Sequence, residues 1–262
     1  MSIPKIIHYC WFGTNDYPEK VQRSIDSWND YFGDYKIMKW DEQNSDMQHP
    51  FVKTAYKKQM WAFVSDYIRL QALYKYGGVY LDTDMFAIKN VDDLLDTSCF
   101  FGSESPSKIS CGIIAVEKEH PLIAAALKKY EGLIFPPHYD LWKIAIPIII
   151  TNTFKELYNY SGNFEKEVSF DNIIIYPENY FYPLPNDMHV DQDIYKYIDE
   201  TTYMVHLWSK SWKDVTEFTL IKRTHYFLAF KMILKMMFKH KITDINYYKK
   251  IIRTYLKTKR KI

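Results

Sequence analysis

The segment Gly77-Gly78-Val79-Tyr80-Leu81-Asp82-Thr83-Asp84 constrains this chain more than any other. The residues before it, 58–76, have a helical pattern, and glycine is the usual residue for the left-handed cap that ends a helix. Val79–Asp82 then reads as a short apolar strand that runs into two aspartates. In a strand, residues i and i+2 point to the same side, so Asp82 and Asp84 aim two carboxylates into one crevice. Hard divalent cations such as Mg²⁺ and Mn²⁺ take oxygen ligands, few from the protein and the rest from phosphate. The pattern fits a site for a metal–diphosphate. A bare D-x-D triplet is also a common solvated turn, so the surrounding sequence has to separate the two.

Upstream, the chain alternates. Lys5–Trp11 reads as a first strand and Tyr35–Trp40 as a second. Pro18–Tyr31, with Val21, Ile25 and Trp28 at helical spacing, reads as the helix between them. Strand, helix, strand points to an α/β fold with a mostly parallel central sheet. Residues 99–103 and 111–116 read as further strands, His120–Tyr130 as a helix with Pro121 in its first turn, and 140–158 as helical around Pro147. Residues 173–185 read as a strand followed by a Pro-rich loop, Tyr203–Trp208 as a last strand and 214–262 as helical. The expected division is a catalytic domain over 1–218 and a helical tail over 219–262.

Asp66 and Arg69 are three residues apart on the helix before the glycines and share a face with Ala62 and Leu73. A charged pair in an apolar stripe is either a buried salt bridge that fixes the helix or a pair turned toward a polar ligand. Its position one short connection before Asp82 and Asp84 favours the ligand.

Composition excludes several classes. Cys10, Cys99 and Cys111 are too few and too scattered for a disulfide framework or a zinc site, which fits a reducing compartment. The start, Met1–Lys5, lacks the basic-then-apolar pattern of a leader, and no uncharged apolar run reaches membrane-span length. The 23 tyrosines suit sugar and base stacking and serve equally as core material. Net charge hides an asymmetry. Residues 219–262 hold thirteen Lys/Arg and one acid, net +12, against a body of net −10. Phe227–Phe238 is apolar with Lys231 and Lys235 on one face and Lys239 a turn on. This basic amphipathic helix suits an anionic membrane surface, or else packs on the catalytic domain with its lysines solvated. No nucleic-acid motif accompanies the charge, so no nucleic-acid partner is expected.

The motifs together resemble the DXD sugar-transferase family. That family includes bacterial capsular-polysaccharide transferases, the yeast initiating mannosyltransferase and, more remotely, the clostridial glucosylating toxins. The resemblance rests on Ser65-Asp66-Tyr67-Ile68-Arg69, Leu73-Tyr74 and Gly77–Asp84. The opening Ile3-Pro4-Lys5-Ile6-Ile7-His8 with Trp11, Gly13 and Pro18, and Trp40-Asp41, add to it, as does the late His206-Leu207-Trp208-Ser209-Lys210-Ser211-Trp212. It spans roughly residues 3–213. It implies a GT-A type nucleotide-diphospho-sugar transferase fold, a divalent cation (Mn²⁺ or Mg²⁺) and retention of anomeric configuration.

Carried onto this chain, the resemblance implies that Asp84 binds the metal directly and that Asp82 contacts metal or ribose. His206 would be a third metal ligand. Asp66 and Arg69 would orient the donor sugar, Trp11 would stack on the nucleobase and Tyr80 would support the site. Ser211 and Trp212 would contact the donor phosphates. Cys111–Ala115 resembles the segment lining the donor sugar and acceptor. Relatives often carry an asparagine there, where this chain has Ser110-Cys111. Ser103, Glu104 and Ser105 are candidates for acceptor contact, while His138, Tyr139 and Asp140 have no assigned role. The expected activity is hexosyl transfer from a nucleotide-sugar, UDP-galactose or UDP-glucose, to a glycan or glycolipid acceptor in surface polysaccharide synthesis. The expected location is cytoplasmic, peripheral on the inner face of the cell membrane. The alternatives are a toxin-like protein glycosyltransferase and an inactive nucleotide-sugar-binding module.

Overall fold

The computed structural model of the protein describes residues 2–13, 16–185, 194–209, 217–222, 224–240 and 244–259. It divides into two compact units, Met1–Ser209 and Lys210–Ile262.

The first unit is built as the alternation predicts. Strand β1 (Ile6–Cys10) leads into helix α1 (Glu19–Tyr31) and strand β2 (Lys36–Trp40). The helical stretch before the glycines is shorter than its pattern suggests and is preceded by a second helix. Helix α2 (Pro50–Lys57) and helix α3 (Trp61–Tyr76) are separated at Gln59, which takes a positive φ of 55°. Pro50 supplies the start signal for α2, since proline fits the first helical turn. Strand β3 (Gly78–Leu81) follows the Gly77 cap, and strand β4 (Met85–Ala87) follows the aspartates.

Strands β5 (Cys99–Ser105) and β6 (Lys108–Val116) are longer than read and form one hairpin. After helix α4 (Pro121–Lys128), the stretch around Pro147 resolves into two pieces. These are a 3₁₀ segment, His138–Ile144, and helix α5 (Ile146–Leu157), so Pro147 lies in a first turn and not mid-helix. Strands β7 (Val168–Phe170) and β8 (Ile173–Tyr176), the short helix α6 (Glu178–Phe181) and strand β9 (Met204–His206) complete this unit.

Seven strands make one sheet in the order β2-β1-β3-β6-β5-β8-β7. Strands β2, β1, β3, β5 and β8 share a direction, and β6 and β7 run against them. The sheet is therefore mostly parallel, as expected. β1 lies between β2 and β3, so the chain leaves β1 to one side and returns on the other. Such a reversal opens a crevice outside the carboxyl ends of the two strands. Trp11 follows β1 and Asp82–Asp84 follow β3, so both reach that crevice.

Side chains alternate across the sheet. Tyr80, Ile114 and Phe101 join the core shared with Val64, Ile68 and Ile150. Val79, Leu81, Ile113 and Phe100 join the opposite core with Trp28 and Phe181. Gly78 lets β3 approach β1. Its φ is +106°, and a Cβ there would lie 2.5 Å from the Ile6 carbonyl oxygen.

The second unit contains helices α7 (Glu217–Lys222), α8 (Tyr226–His240) and α9 (Ile245–Lys259), with α7 packed on both others. No described helix is long and apolar enough to cross a membrane.

Candidate metal and donor-sugar site

Asp82 follows Tyr80 by two residues and faces the same side of β3, the side that packs under α3. There it meets Arg69. Arg69 Nη1 lies 3.0 Å from Asp82 Oδ1 and donates to the Cys111 carbonyl at 2.8 Å. Its Nη2 donates to Ser65 Oγ at 2.9 Å and lies 3.3 Å from Asp66 Oδ1, while Nε donates to the Ser65 carbonyl. Its guanidinium also sits over the Tyr80 ring, 4.3 Å from the centroid. Every guanidinium nitrogen is thus engaged within the protein, and the side chain is buried.

A relay runs beside this ion pair. Tyr80 donates its hydroxyl hydrogen to Asp82 Oδ1 at 3.0 Å, which leaves Ser65 as the donor in its 2.9 Å contact with the Tyr80 oxygen. Arg69, Ser65, Tyr80 and Asp82 therefore form one directed chain of hydrogen bonds. Its terminus, Asp82, is the partly exposed member.

Asp66 is buried and splits its oxygens. Oδ1 faces Arg69 and Oδ2 accepts from the Ile146 N–H at 3.2 Å, at the first turn of α5. Burial pushes its carboxyl up to about 7, against the opposing pull of Arg69 and the Ile146 N–H. The buried-salt-bridge reading of the pair is therefore present in the fold, and Asp66 also ties α5 to the helix behind the site.

Asp84 is brought to His206 by β4 and β9, which pair with Met85 opposite His206. His206 Nε2 lies 3.1 Å from Asp84 Oδ1. On the other carboxylate oxygen, Asp84 Oδ2, both the backbone N–H and the hydroxyl of Ser209 donate at 2.9 Å. Burial would raise the Asp84 carboxyl, but His206 and the two Ser209 donors outweigh it and hold it well below the usual range. The reciprocal holds for His206. Burial disfavours its charged form, yet the Asp84 carboxylate beside it raises its pKa.

One ligand atom each from Asp82, Asp84 and His206 lies within 4.8 Å of the others. Two carboxylates and an imidazole make a donor set suited to Mn²⁺ or Mg²⁺. Ser209 occupies Asp84 Oδ2, which orients Oδ1 toward His206 and the centre of the set. These residues fit a divalent cation.

The structure thus brings together Asp66, Arg69, Tyr80, Asp82, Asp84 and His206. Trp11 lies at the mouth of the same crevice, with Tyr17 packed edge-on at 4.9 Å between ring centroids. Ser211 and Trp212 lie outside the described residues. Ser65 and Ser209 stand in the sequence motifs without a role of their own, although Ser65 holds Arg69 and Ser209 holds Asp84. Gly112 also had no assigned role. Its carbonyl accepts from the Asp82 N–H at 2.7 Å, and a Cβ there would come within 3.1 Å of the Tyr182 hydroxyl and 3.2 Å of His206 Cδ2. Of the acceptor candidates, Ser103 is buried and donates to the Phe164 carbonyl, while Glu104 pairs with Lys108 and Ser110.

Residues 18–101 match the profile of a family described as the glycosyltransferase sugar-binding region containing a DXD motif. That stretch contains Asp66, Arg69, Asp82 and Asp84. The chain is 32% identical over 143 residues to inositol phosphoceramide mannosyltransferase 3 of Schizosaccharomyces pombe, a match covering 53% of this chain and 40% of the relative. It is 28% identical over 160 residues to human lactosylceramide 4-alpha-galactosyltransferase, covering 56% and 41%. The chain spans about two fifths of these relatives' length. Among solved structures, the PaToxG glycosyltransferase superposes with a TM-score of 0.47 at 20% identity, over 60% of this chain and 70% of that one.

Proposed function

We propose that this chain, whose residues 18–101 match the DXD sugar-binding region of glycosyltransferases, belongs to the DXD sugar-transferase family and is a retaining hexosyltransferase. It moves a sugar from a nucleotide-diphospho-sugar to a glycan or glycolipid acceptor. The observation that carries this reading is the convergence of Asp82, Asp84 and His206 at the crevice beyond β1 and β3.

In this reading Asp82, Asp84 and His206 hold Mn²⁺ or Mg²⁺. When bound, the cation acts as a Lewis acid that stabilises negative charge developing on the leaving diphosphate. The chain's own residues preorganise that site. Arg69 and Tyr80 fix Asp82 Oδ1, and Ser209 fixes Asp84 Oδ2. Trp11 offers a ring to the nucleobase, and Ser211 and Trp212 contact the phosphates. Asp66 and Arg69 are buried with their polar atoms engaged within the protein, so they act on the donor indirectly, Arg69 by holding Asp82 and keeping a positive charge near the reacting centre. Asp66, Asp82 and Asp84 each have a holding role, so we assign none of them as a nucleophile. Same-face return, with the leaving phosphate assisting deprotonation of the acceptor, is the mechanism we favour.

The names of two relatives, one a mannosyltransferase and one a galactosyltransferase, both contain a ceramide lipid. Their names support a lipid-linked acceptor. UDP-galactose or UDP-glucose is the proposed donor, and surface-polysaccharide or glycolipid synthesis at the inner face of the cell membrane the proposed setting.

The test is a panel of nucleotide-activated galactose, glucose and mannose, with Mn²⁺ or with EDTA, read by thermal shift and by nucleoside diphosphate release. Selective stabilisation by one donor, dependent on metal, is the expected result, because a ligand that binds the native state raises its stability by mass action. Stabilisation without turnover on any acceptor would favour the binding module. No response to any donor would remove the reading.

A further inference from the structure

A helix that packs on its neighbours ordinarily turns its apolar stripe inward. Helix α8 has apolar residues inward, with Met232, Ile233 and Met236 beside Ala229, and a second apolar arc outward. Its buried residue is Ala229. At 100° per residue, Phe230, Leu234, Phe227 and Phe238 follow one another around the arc that faces away from Ala229. Three of them are open to solvent: Phe227 is 69% exposed, Phe230 57% and Phe238 79%. Lys231 and Lys235 continue the same exposed arc, and the Lys231 ammonium sits 4.8 Å from the centroid of the Phe227 ring.

Helix α9 repeats the arrangement. Tyr247 is its buried residue, and Ile245, Ile252 and Leu256, at spacings of seven and four, form an exposed seam. Lys249, Arg253 and Lys257 lie alongside it, all exposed. Neither helix contains an Asp or Glu.

We propose that α8 and α9 form a docking surface for an anionic lipid bilayer, with Phe227, Phe230, Phe238, Ile245, Ile252 and Leu256 entering the headgroup boundary. An interfacial helix combines an apolar face with flanking Lys/Arg that meet anionic headgroups. α9 has that composition with a polar opposite face, and α8 has the flanking lysines on a helix that is apolar around most of its circumference. Charge selects the occupant. A second copy of the same surface would bring cationic flanks together with no carboxylate to relieve them. A polyanion without an apolar phase would leave the aromatic arc in water. A bilayer bearing anionic lipid satisfies both parts at once. The inference deepens the membrane reading given above, and its test uses no sugar donor, so its failure leaves the transferase reading standing.

The full chain is sedimented with vesicles of phosphatidylcholine, with and without phosphatidylglycerol. Binding to the anionic vesicles is expected, with at least about tenfold weaker binding to neutral ones. The variant F227S/F230S/F238S keeps its elution volume and melting temperature and loses binding by about tenfold or more. K231E/K235E weakens binding to anionic vesicles alone.

A second measurement reports insertion directly. The native cysteines are buried, so F238C can be labelled selectively with an environment-sensitive dye. A blue shift on anionic vesicles, and quenching by lipids brominated in the acyl chain, is the expected result. Three outcomes overturn the proposal: no binding of the full chain to anionic vesicles, binding unchanged by the serine substitutions with no dye quenching, or dimerisation of the free chain that those substitutions abolish.

Discussion

Ser209 holds Asp84 twice. Its backbone N–H and its hydroxyl both donate to Asp84 Oδ2 at 2.9 Å, across 125 residues of sequence. The aspartate's other oxygen is left to His206, so the late segment of the chain sets the orientation of the early carboxylate. Ser209→Ala keeps the backbone donor and deletes the hydroxyl. Partners that orient a metal ligand typically govern affinity by about 10- to 100-fold. Mn²⁺ affinity measured by calorimetry is expected to fall by about tenfold, with thermal stability lowered by about 1 kcal/mol. Unchanged Mn²⁺ affinity would show that the clamp has no bearing on the metal.

Asp84→Asn tests the coupling from the other side. The pKa of His206 is raised because the Asp84 carboxylate outweighs the cost of burial. With a neutral amide in its place, burial is left less opposed and His206 is expected to titrate lower than in the parent protein. NMR titration of the metal-free protein reads this shift. Metal-dependent turnover in the same variant is expected to drop to background. A His206 titration that does not move would mean that the carboxylate is not its partner in solution.

Tyr80→Phe interrupts the relay from Ser65 to Asp82. Asp82 Oδ1 keeps Arg69 and loses the phenol, while the Ser65 hydroxyl loses its acceptor in a buried site. The expected cost is about 1–2 kcal/mol in stability, seen in urea unfolding. Turnover should fall by about tenfold, because a carboxylate held by one partner is less well placed than one held by two. Equal turnover in the two proteins would restrict Tyr80 to the core.

What the sequence disclosed depended on how far each partner lay along the chain. The glycine cap, the strand and the aspartate pair are a local pattern, and Gly77–Asp84 could be read without tertiary information. The same holds for Asp66 and Arg69 sharing a helix face. What Asp66 does with its second oxygen could not be read, because its partner Ile146 is 80 residues away. β4 is three residues long and exists only because β9 pairs with it, so its own sequence has no periodicity to detect. The break between α2 and α3 turns on one residue, Gln59, at positive φ, a conformation that no composition rule assigns to glutamine. Pro50 and Pro147 both mark first turns. A helical pattern around Pro147 is therefore better divided there, since proline prefers a first turn to a helix interior.

His8 supplies the pH dependence. It is fully buried under the glycine pair, and its tautomer is set by its partners. The Trp40 indole can only donate, so Nδ1 accepts at 3.1 Å, and Nε2–H donates to the Gly77 carbonyl at 2.8 Å. Burial lowers its pKa to about 4, against the smaller opposing effect of the Gly77 carbonyl. The unfolded chain takes up a proton near 6.5, so between pH 6.5 and 4 the unfolded state binds more protons at this position. The contribution of His8 is intact above 6.5 and is lost as pH falls toward 4, to a total of roughly 3 kcal/mol. His120, likewise lowered to about 4 by burial, acts in the same sense. Asp66, raised to about 7, acts in the opposite sense, since its burial stabilises most at low pH and that stabilisation is lost as pH rises through 7. A single protein's curve therefore mixes the three, and the difference between two proteins isolates one. His8→Gln retains a donor and an acceptor and does not titrate. Its stability, measured by denaturant unfolding at pH 7 and at pH 4.5, is expected to fall less on acidification than that of the parent by roughly 2–3 kcal/mol. Parallel curves for the two proteins would show that His8 exchanges its proton freely in the folded state, and that the contact closing β3 against β1 is looser than its geometry indicates.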